Sequence, residues 1–444
     1  MVLINKKIRY QVEDVLSGKN VWGKYVFLKE SETWDKSRIE EYQLTKLRQL
    51  LEHCYNNVPA YRGFMKQSGL NPDNITSLET LKQFPIIDKQ YILNHYNDFI
   101  PTNISKIKGV KSSKTSGSTG LILKYFNDSN CRSVVWGSFL RFQDWMGRDF
   151  NNRYIVFRGR NFINESIFSK LKNGFVDYLE HSKTLDSYNL QDKDIEVLVN
   201  LLKKNPKAIL RGYVLNIVDI ASILKNKGLS YSIQAVSTTA EPLLDFHRKI
   251  IQDTFNCGVF DQYGCGEIEG VAYECNQHKG LHVTEEHVIL ETDNNDELIL
   301  TDLDNFSFPF IRYKNGDKVL LSKNKCTCGR DSKLIDKIIG RSSDNVIGLN
   351  GNPVHWGYFH HLLIYTNIAT NRNLQKFQII QKSLSEIVVN IQSDPLSEND
   401  KNILIDEIKA KLGEIHVVVN NVENIPHSET GKFKAIISYV TNPQ

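Results

Sequence analysis

Apolar residues recur at helical spacing near the amino terminus: Leu44, Leu47, Leu51 and Cys54 lie three or four positions apart within 38–61, which predicts an amphipathic helix. Val58-Pro59 ends or redirects it, because the residue before a proline is pushed out of the α region. Leu78, Leu81 and Phe84 carry a second helical pattern that stops at Pro85. Farther along, short apolar runs at 154–157, 208–210, 233–236, 258–260 and 298–301 predict buried strands, and helical intervals at 194–202 and 217–224 separate some of them. That alternation predicts an α/β architecture.

The run Lys337-Ile338-Ile339-Gly340-Arg341-Ser342-Ser343-Asp344-Asn345 passes from apolar residues to small and polar turn formers, which predicts a boundary. The chain therefore divides into an amino-terminal body over 1–340 and a carboxy-terminal domain over 341–444. In the second part, 377–380, 387–391 and 415–419 read as strands and 403–412 as a helix, before an exposed Gly431-Lys432 loop.

Composition narrows the classes. With 41% apolar and 24% charged residues, the 444-residue chain can build an ordinary globular core. Its 55 basic and 51 acidic side chains are interspersed and leave a formal charge of +4, which argues against nucleic acid as a partner, since a phosphate backbone is met by a concentrated basic surface. The first 18 residues lack the apolar core of a secretion signal, and no apolar stretch approaches membrane-spanning length. The expectation is a cytoplasmic protein with no integral membrane segment. Nothing in the pattern specifies an oligomeric state.

Seven cysteines make poor disulfide arithmetic, but four metal-ligating side chains fall in two local groups: Cys275 and His282, then Cys326 and Cys328. Three thiols and an imidazole form a tetrahedral set, with His278 as a substitute for His282; buried structural thiols are the competing reading. A second chemistry-bearing segment is Thr115-Ser116-Gly117-Ser118-Thr119-Gly120. Glycines permit close backbone approach, and N–H groups and hydroxyls can cradle phosphate oxygens. The spacing is not that of the GxxxxGK[ST] loop.

Ordered segments along the chain together resemble the adenylate-forming superfamily and, within it, the phenylacetate-CoA ligase-like group. They are 50–61 (LLEHCYNNVPAY), 115–120, Ala240-Glu241-Pro242-Leu243, Tyr263-Gly264-Cys265-Gly266-Glu267, 310–317 (FIRYKNGD) with Gly340-Arg341, and Gly431-Lys432. The resemblance implies a large multi-subdomain adenylate-forming body with a small mobile α+β carboxy-terminal domain, hinged near Ser343 or Asp344. It implies ATP and Mg²⁺ as cofactors. Thr115, Ser116, Gly117, Ser118 and Gly120 would hold phosphates, Tyr263 would stack near adenine or close the acyl pocket, Asp317 would bind ribose, and Arg341 would contact the nucleotide. Glu267, Thr119 and Lys432 would be catalytic, Glu267 holding Mg²⁺ and Lys432 entering for adenylation. Some members of the group carry a structural zinc at positions matching Cys275, His282, Cys326 and Cys328.

The implied chemistry is attack of a small-molecule carboxylate on the α-phosphate of ATP, release of pyrophosphate, and transfer of the acyl group from AMP to an acceptor. Coenzyme A is the favoured acceptor; an amine is the alternative, and a non-catalytic nucleotide-binding protein is a third reading. Past Arg341 the chain departs from the larger group: Ser343-Asp344 stands where many members have two acids. The segment 348–355 (GLNGNPVH) resembles the capsular-polysaccharide-associated branch instead.

Overall fold

A computed structural model describes residues 6–115, 122–149, 151–158, 181–186, 192–341, 345–355, 358–359, 362–363, 366, 368–426 and 433–440. The chain is a large mixed α/β body with a smaller carboxy-terminal α+β domain. It packs as two compact units, 1–151 with 260–338, and 152–259 with 339–444.

In the first unit, helix Lys36–Asn57 starts where the Asp35 carboxylate accepts a hydrogen bond from the Arg38 amide at 2.9 Å. Its buried face carries Leu47, Leu50, Leu51 and Cys54. Val58 is extended, and Pro59 opens a second helix, Pro59–Gln67, as the redirected helix required. Buried Tyr61 ties that helix to the loop before the central strand: its hydroxyl donates to the Pro309 carbonyl and accepts from the Ile311 amide, both at 3.0 Å. The second predicted helical pattern is a 3₁₀ segment, Leu78–Gln83.

The sheet of this unit runs in the order Val288–Thr292, Glu297–Asp302, Tyr313–Leu321, Leu334–Arg341, Leu281–Val283, Ala272–Glu274 and Gly258–Tyr263. Ile87–Asp88 adds a short parallel pairing, Ile87 opposite Tyr313 and Asp88 opposite Lys314. Lys337–Gly340, which the polarity pattern reads as the approach to a boundary, lies within strand Leu334–Arg341.

In the second unit, four parallel strands lie in the order Ser182–Asp186, Tyr154–Arg158, Ile209–Tyr213 and Ala235–Thr239. Helices Asp192–Lys204, Val214–Asn226 and Asp245–Phe255 bury Leu198, Ile217, Ile220 and Ile251 against the apolar strands. The carboxy-terminal sheet has the order His416–Asn421, Glu386–Gln392, Lys376–Ser383 and Ile436–Ser438. Its helix Glu398–Leu412 opens with a capping box between Ser397 and Asp400. Leu244 and Phe246 join Phe359, Leu374 and Phe377 in one apolar cluster, so the carboxy-terminal domain shares a core with the segment leading into helix Asp245–Phe255.

Candidate nucleotide and metal sites

The hairpin of Lys111–Lys114 and Lys124–Asn127 leads into the hydroxyl- and glycine-rich segment. Thr115 closes its mouth: the Thr115 amide donates to the Leu123 carbonyl and the Leu123 amide donates to Thr115 Oγ1, each at 3.0 Å. Ser116, Gly117, Ser118, Thr119 and Gly120 lie outside the described residues, as do Gly431, Lys432, Ser343 and Asp344. The hairpin reaches the second motif, because the Tyr125 hydroxyl donates to the Gly266 carbonyl. A side chain added at Gly266 would lie 3.9 Å from Thr115 Cα.

Strand Gly258–Tyr263 delivers Tyr263 to the edge of this region. Its hydroxyl donates to Asp317 Oδ2 at 2.7 Å, and Asn315 Nδ2 donates both to the Tyr263 oxygen (2.8 Å) and to Asp317 Oδ2 (3.0 Å). Burial and the Asp317 charge push the Tyr263 phenol well above its ordinary pKa, so the O–H stays a donor. Asp317 is also held by its own amide, which donates to Asn315 Oδ1 at 3.0 Å across Gly316, whose φ is +82°.

Buried Glu267 lies on the same side. Its Oε1 accepts from the Tyr313 hydroxyl at 2.8 Å and meets the Lys89 ammonium at 3.1 Å. Motif reasoning missed both partners. Lys89 reaches Glu267 because Ile87–Asp88 pairs with Tyr313–Lys314 and because Asp88 then caps the helix Lys89–Asn94, accepting from the Tyr91 amide at 2.8 Å. The signal in the sequence was only Asp88-Lys89 after Ile86-Ile87. Arg341 ends strand Leu334–Arg341; its side chain lies outside the described positions.

Among the described residues, the structure gathers Cys275, His282, Cys326 and Cys328 so that one ligand atom from each lies within 4.8 Å of the others. Cys275 and Cys326 sulfurs are 3.7 Å apart, and Cys328 Sγ is 3.3 Å from His282 Nε2. His282 Nδ1 meets Ser332 Oγ at 2.9 Å, which leaves Nε2 facing the thiols. Burial first, then Arg330 and Arg141, hold the His282 imidazole down at about 4, so it is neutral near pH 7 and its lone pair is available. Burial pushes the Cys328 thiol up, but hydrogen bonds from Arg330 outweigh it and its pKa lies below the ordinary thiol value. Gly280 brings His282 in: at φ +119°, a Cβ there would sit 2.6 Å from the Ile335 carbonyl oxygen. His278 faces Glu274 at 3.2 Å instead and is not in the set.

Behind the Glu267 loop lies a second buried cluster. His287 Nδ1 is 3.0 Å from Asp304 Oδ2 and 3.6 Å from Asp302 Oδ1, while Nε2 is 3.2 Å from the Glu269 carbonyl. Lys46 reaches Asp304 Oδ1 at 2.5 Å. Burial pulls the His287 imidazole down, but Asp302 and Asp304 outweigh it, and its pKa lies above the ordinary value.

Comparison with known proteins follows the same lines. Residues 346–439 match the family model described as the CapK C-terminal domain. A phenylacetate-coenzyme A ligase of Thermus thermophilus is 23% identical over 448 residues, spanning 92% of this chain and 98% of that protein. The protein CapK of Staphylococcus aureus is 25% identical over 389 residues, covering 84% of this chain and 82% of its own length. Among solved structures, a 2-hydroxyisobutyryl-CoA ligase in the postadenylation state superposes with a TM-score of 0.72 at 16% identity, over 92% of this chain and 91% of that one. No described helix is long and apolar enough to cross a membrane.

Proposed function

The chain belongs to the adenylate-forming superfamily, in its phenylacetate-CoA ligase-like and CapK family, and we propose that it activates a small carboxylic acid with ATP and passes the acyl group to coenzyme A. The observation that carries this reading is the convergence, within one unit, of Thr115 at the mouth of the phosphate segment, Gly266-Glu267, and the Tyr263–Asn315–Asp317 network.

The chemistry of each group fits its step. Asp317 presents a carboxylate to the vicinal hydroxyls of ribose, its position fixed by Tyr263 and Asn315. Residues 115–120 offer amides and hydroxyls to the phosphates. Glu267 is the hard oxygen donor that would hold Mg²⁺; both of its described contacts fall on Oε1. The ion would offset charge on the phosphates as pyrophosphate leaves. Lys89, beside Glu267, adds a cation on that side. Lys432 supplies the cation for charge developing on the α-phosphate as the carboxylate oxygen attacks and the bond to pyrophosphate breaks. Arg341 contacts the nucleotide, and 341–444 moves as a lid over the body 1–340 between the two half-reactions. This chemistry belongs in the cytoplasm, where ATP and coenzyme A are supplied.

A structural zinc on Cys275, His282, Cys326 and Cys328 completes the reading. Tetrahedral zinc, with bonds of roughly 2.3 Å to sulfur and 2.0 Å to nitrogen, sets sulfurs about 3.8 Å apart and a sulfur–nitrogen edge of about 3.5 Å. The 3.7 Å and 3.3 Å separations support that ion. Four protein ligands make it a staple between loops with no open position for water.

A second reading, transfer to an amine in surface-polysaccharide synthesis, is kept open by the departure from the larger group at Ser343-Asp344 and 348–355, the latter within the stretch that matches the CapK C-terminal domain. One experiment tests both: carboxylate-dependent pyrophosphate release across an acid panel, followed by product analysis with coenzyme A and with amines. Lys432→Ala is expected to lower release by at least about 100-fold. Release that is independent of added acid, or unchanged in Lys432→Ala, would overturn the adenylation reading, and an amide product without thioester would select the second.

A further inference from the structure

Arg312 stands directly before Tyr313 in the segment 310–317, and none of the steps above uses it. It adopts φ +48°, a left-handed conformation that residues with a side chain rarely occupy. Backbone of that kind persists where its surroundings hold it, and it clusters at functional sites. At Arg312 the hold is specific. Its amide donates to Thr301 Oγ1 at 3.0 Å, and its carbonyl accepts from the Ile87 amide at 3.1 Å.

The guanidinium uses all three of its nitrogens. Nε and Nη2 donate to the two carboxylate oxygens of Glu291, each at 3.2 Å, a planar fork that lysine cannot offer. Nη1 donates to the Lys82 carbonyl at 3.1 Å and to the Phe84 carbonyl at 2.7 Å, where the 3₁₀ segment Leu78–Gln83 ends. Strand Val288–Thr292 and the chain entering Pro85 are therefore tied to one side chain, all within the first compact unit.

These ties govern both routes into Glu267. Tyr313, the next residue, donates its hydroxyl to Glu267 Oε1 at 2.8 Å. The chain from Phe84 runs through Ile87–Asp88, which pairs with Tyr313–Lys314, to Lys89, whose ammonium lies 3.1 Å from the same oxygen. A two-residue pairing does little to specify its own register, so the anchor just before it decides where Lys89 falls.

We infer that Arg312 is a positioning residue for the nucleotide site: by clamping Glu291 and the Lys82 and Phe84 carbonyls, it sets Tyr313 and Lys89 on one oxygen of Glu267 and so holds that carboxylate for Mg²⁺. This rests on the Mg²⁺ role of Glu267 proposed above.

ATP binding to the full chain, measured by titration calorimetry with and without Mg²⁺, tests the inference without knowledge of the acid. In the wild type, Mg²⁺ is expected to tighten ATP binding, and Glu267→Gln is expected to abolish that gain. Arg312→Gln is expected to reduce the gain by about tenfold or more, as when the partners of a metal ligand are removed, with the Mg²⁺-free affinity unchanged. Arg312→Lys keeps the charge without the fork and is expected to fall between. In a Lys89→Met, Tyr313→Phe background, Arg312→Gln should add little, because the side chains through which it acts are already altered. Should Arg312→Gln not fold, Glu291→Gln, which leaves the contacts to Lys82 and Phe84, is read in its place and is expected to lose part of the gain. An unchanged gain in the variant read, equal weakening of ATP binding with and without Mg²⁺, or an undiminished effect in the double background would overturn the positioning role. A wild type that gains nothing from Mg²⁺, or a Glu267→Gln that keeps the gain, would instead remove the Glu267 assignment on which the inference stands.

Discussion

Asp317 illustrates how much a single side chain depends on its neighbours. In the proposed nucleotide site the Asp317 carboxylate must be fixed to receive two ribose hydroxyls, and the Tyr263 hydroxyl and the Asn315 amide both point at Oδ2. Tyr263→Phe removes one charge-assisted hydrogen bond and leaves the ring. Hydrogen bonds to charged groups contribute about 1.5–3 kcal/mol, so KM for ATP is expected to rise by roughly tenfold or more, with a smaller change in kcat. Steady-state kinetics at varied ATP would check this, and an unchanged KM would mean that Asp317 does not contact the nucleotide. Glu267 gives a related expectation through Lys89, whose side chain is 17% exposed. Lys89→Met keeps the alkyl packing and deletes the charge, so folding should persist while the Mg²⁺ concentration needed for half-maximal activity shifts; an unaltered Mg²⁺ profile would separate Glu267 from the metal.

At the scale of elements, the loops that the quartet draws together are held by geometry that only glycine supplies at one point. Gly280→Ala combines φ +119° with a 2.6 Å contact to a backbone oxygen, a cost of about 1–3 kcal/mol. The expected result is a lowered denaturation midpoint together with reduced zinc content, measured by elemental analysis. Chelation of the wild type should lower Tm before it slows adenylation; loss of activity at unchanged Tm would count against a staple. Elements were legible where one periodicity ran unbroken. Helix Lys36–Asn57, the parallel strands Tyr154–Arg158, Ile209–Tyr213 and Ala235–Thr239, and helix Glu398–Leu412 follow from their apolar patterns, whereas Ser182–Asp186 has no apolar run to announce it. The Cys/His set was legible as residue types, but the sequence left His278 and His282 open; the pairing of Leu281–Val283 with Ala272–Glu274 decides for His282, placing it opposite Tyr273. Lys89 was hidden because a two-residue strand carries no period. Loop residues whose meaning comes from distant backbone groups leave little local trace.

Two compact units imply that damage can be confined to one of them. The buried His287–Asp302–Asp304–Lys46 cluster belongs to the first unit, and the Lys376–Asp219 pair to the second. His287 has a raised pKa in the folded chain, so its contribution to stability is complete below the unfolded value of roughly 6.5 and fades as pH rises through the folded value. Asp304, held well below the ordinary carboxylate range because Lys46 and His287 outweigh its burial, acts in the opposite sense: its contribution is present above about pH 4 and is lost in acid. The first unit should therefore lose stability at both ends of the scale, the alkaline loss disappearing in His287→Asn. In the second unit, Lys376 is 1% exposed and Asp219 25%. Asp219→Ala takes one carboxylate partner from a buried ammonium and is expected to cost up to about 3 kcal/mol, whereas Lys376→Met leaves Asp219 with access to water and should cost less. Hydrogen exchange resolved by segment would place the Asp219→Ala loss in 152–259 and 339–444, with strands Val288–Thr292 and Glu297–Asp302 unaffected. A uniform increase across both units would mean that they unfold as one cooperative body.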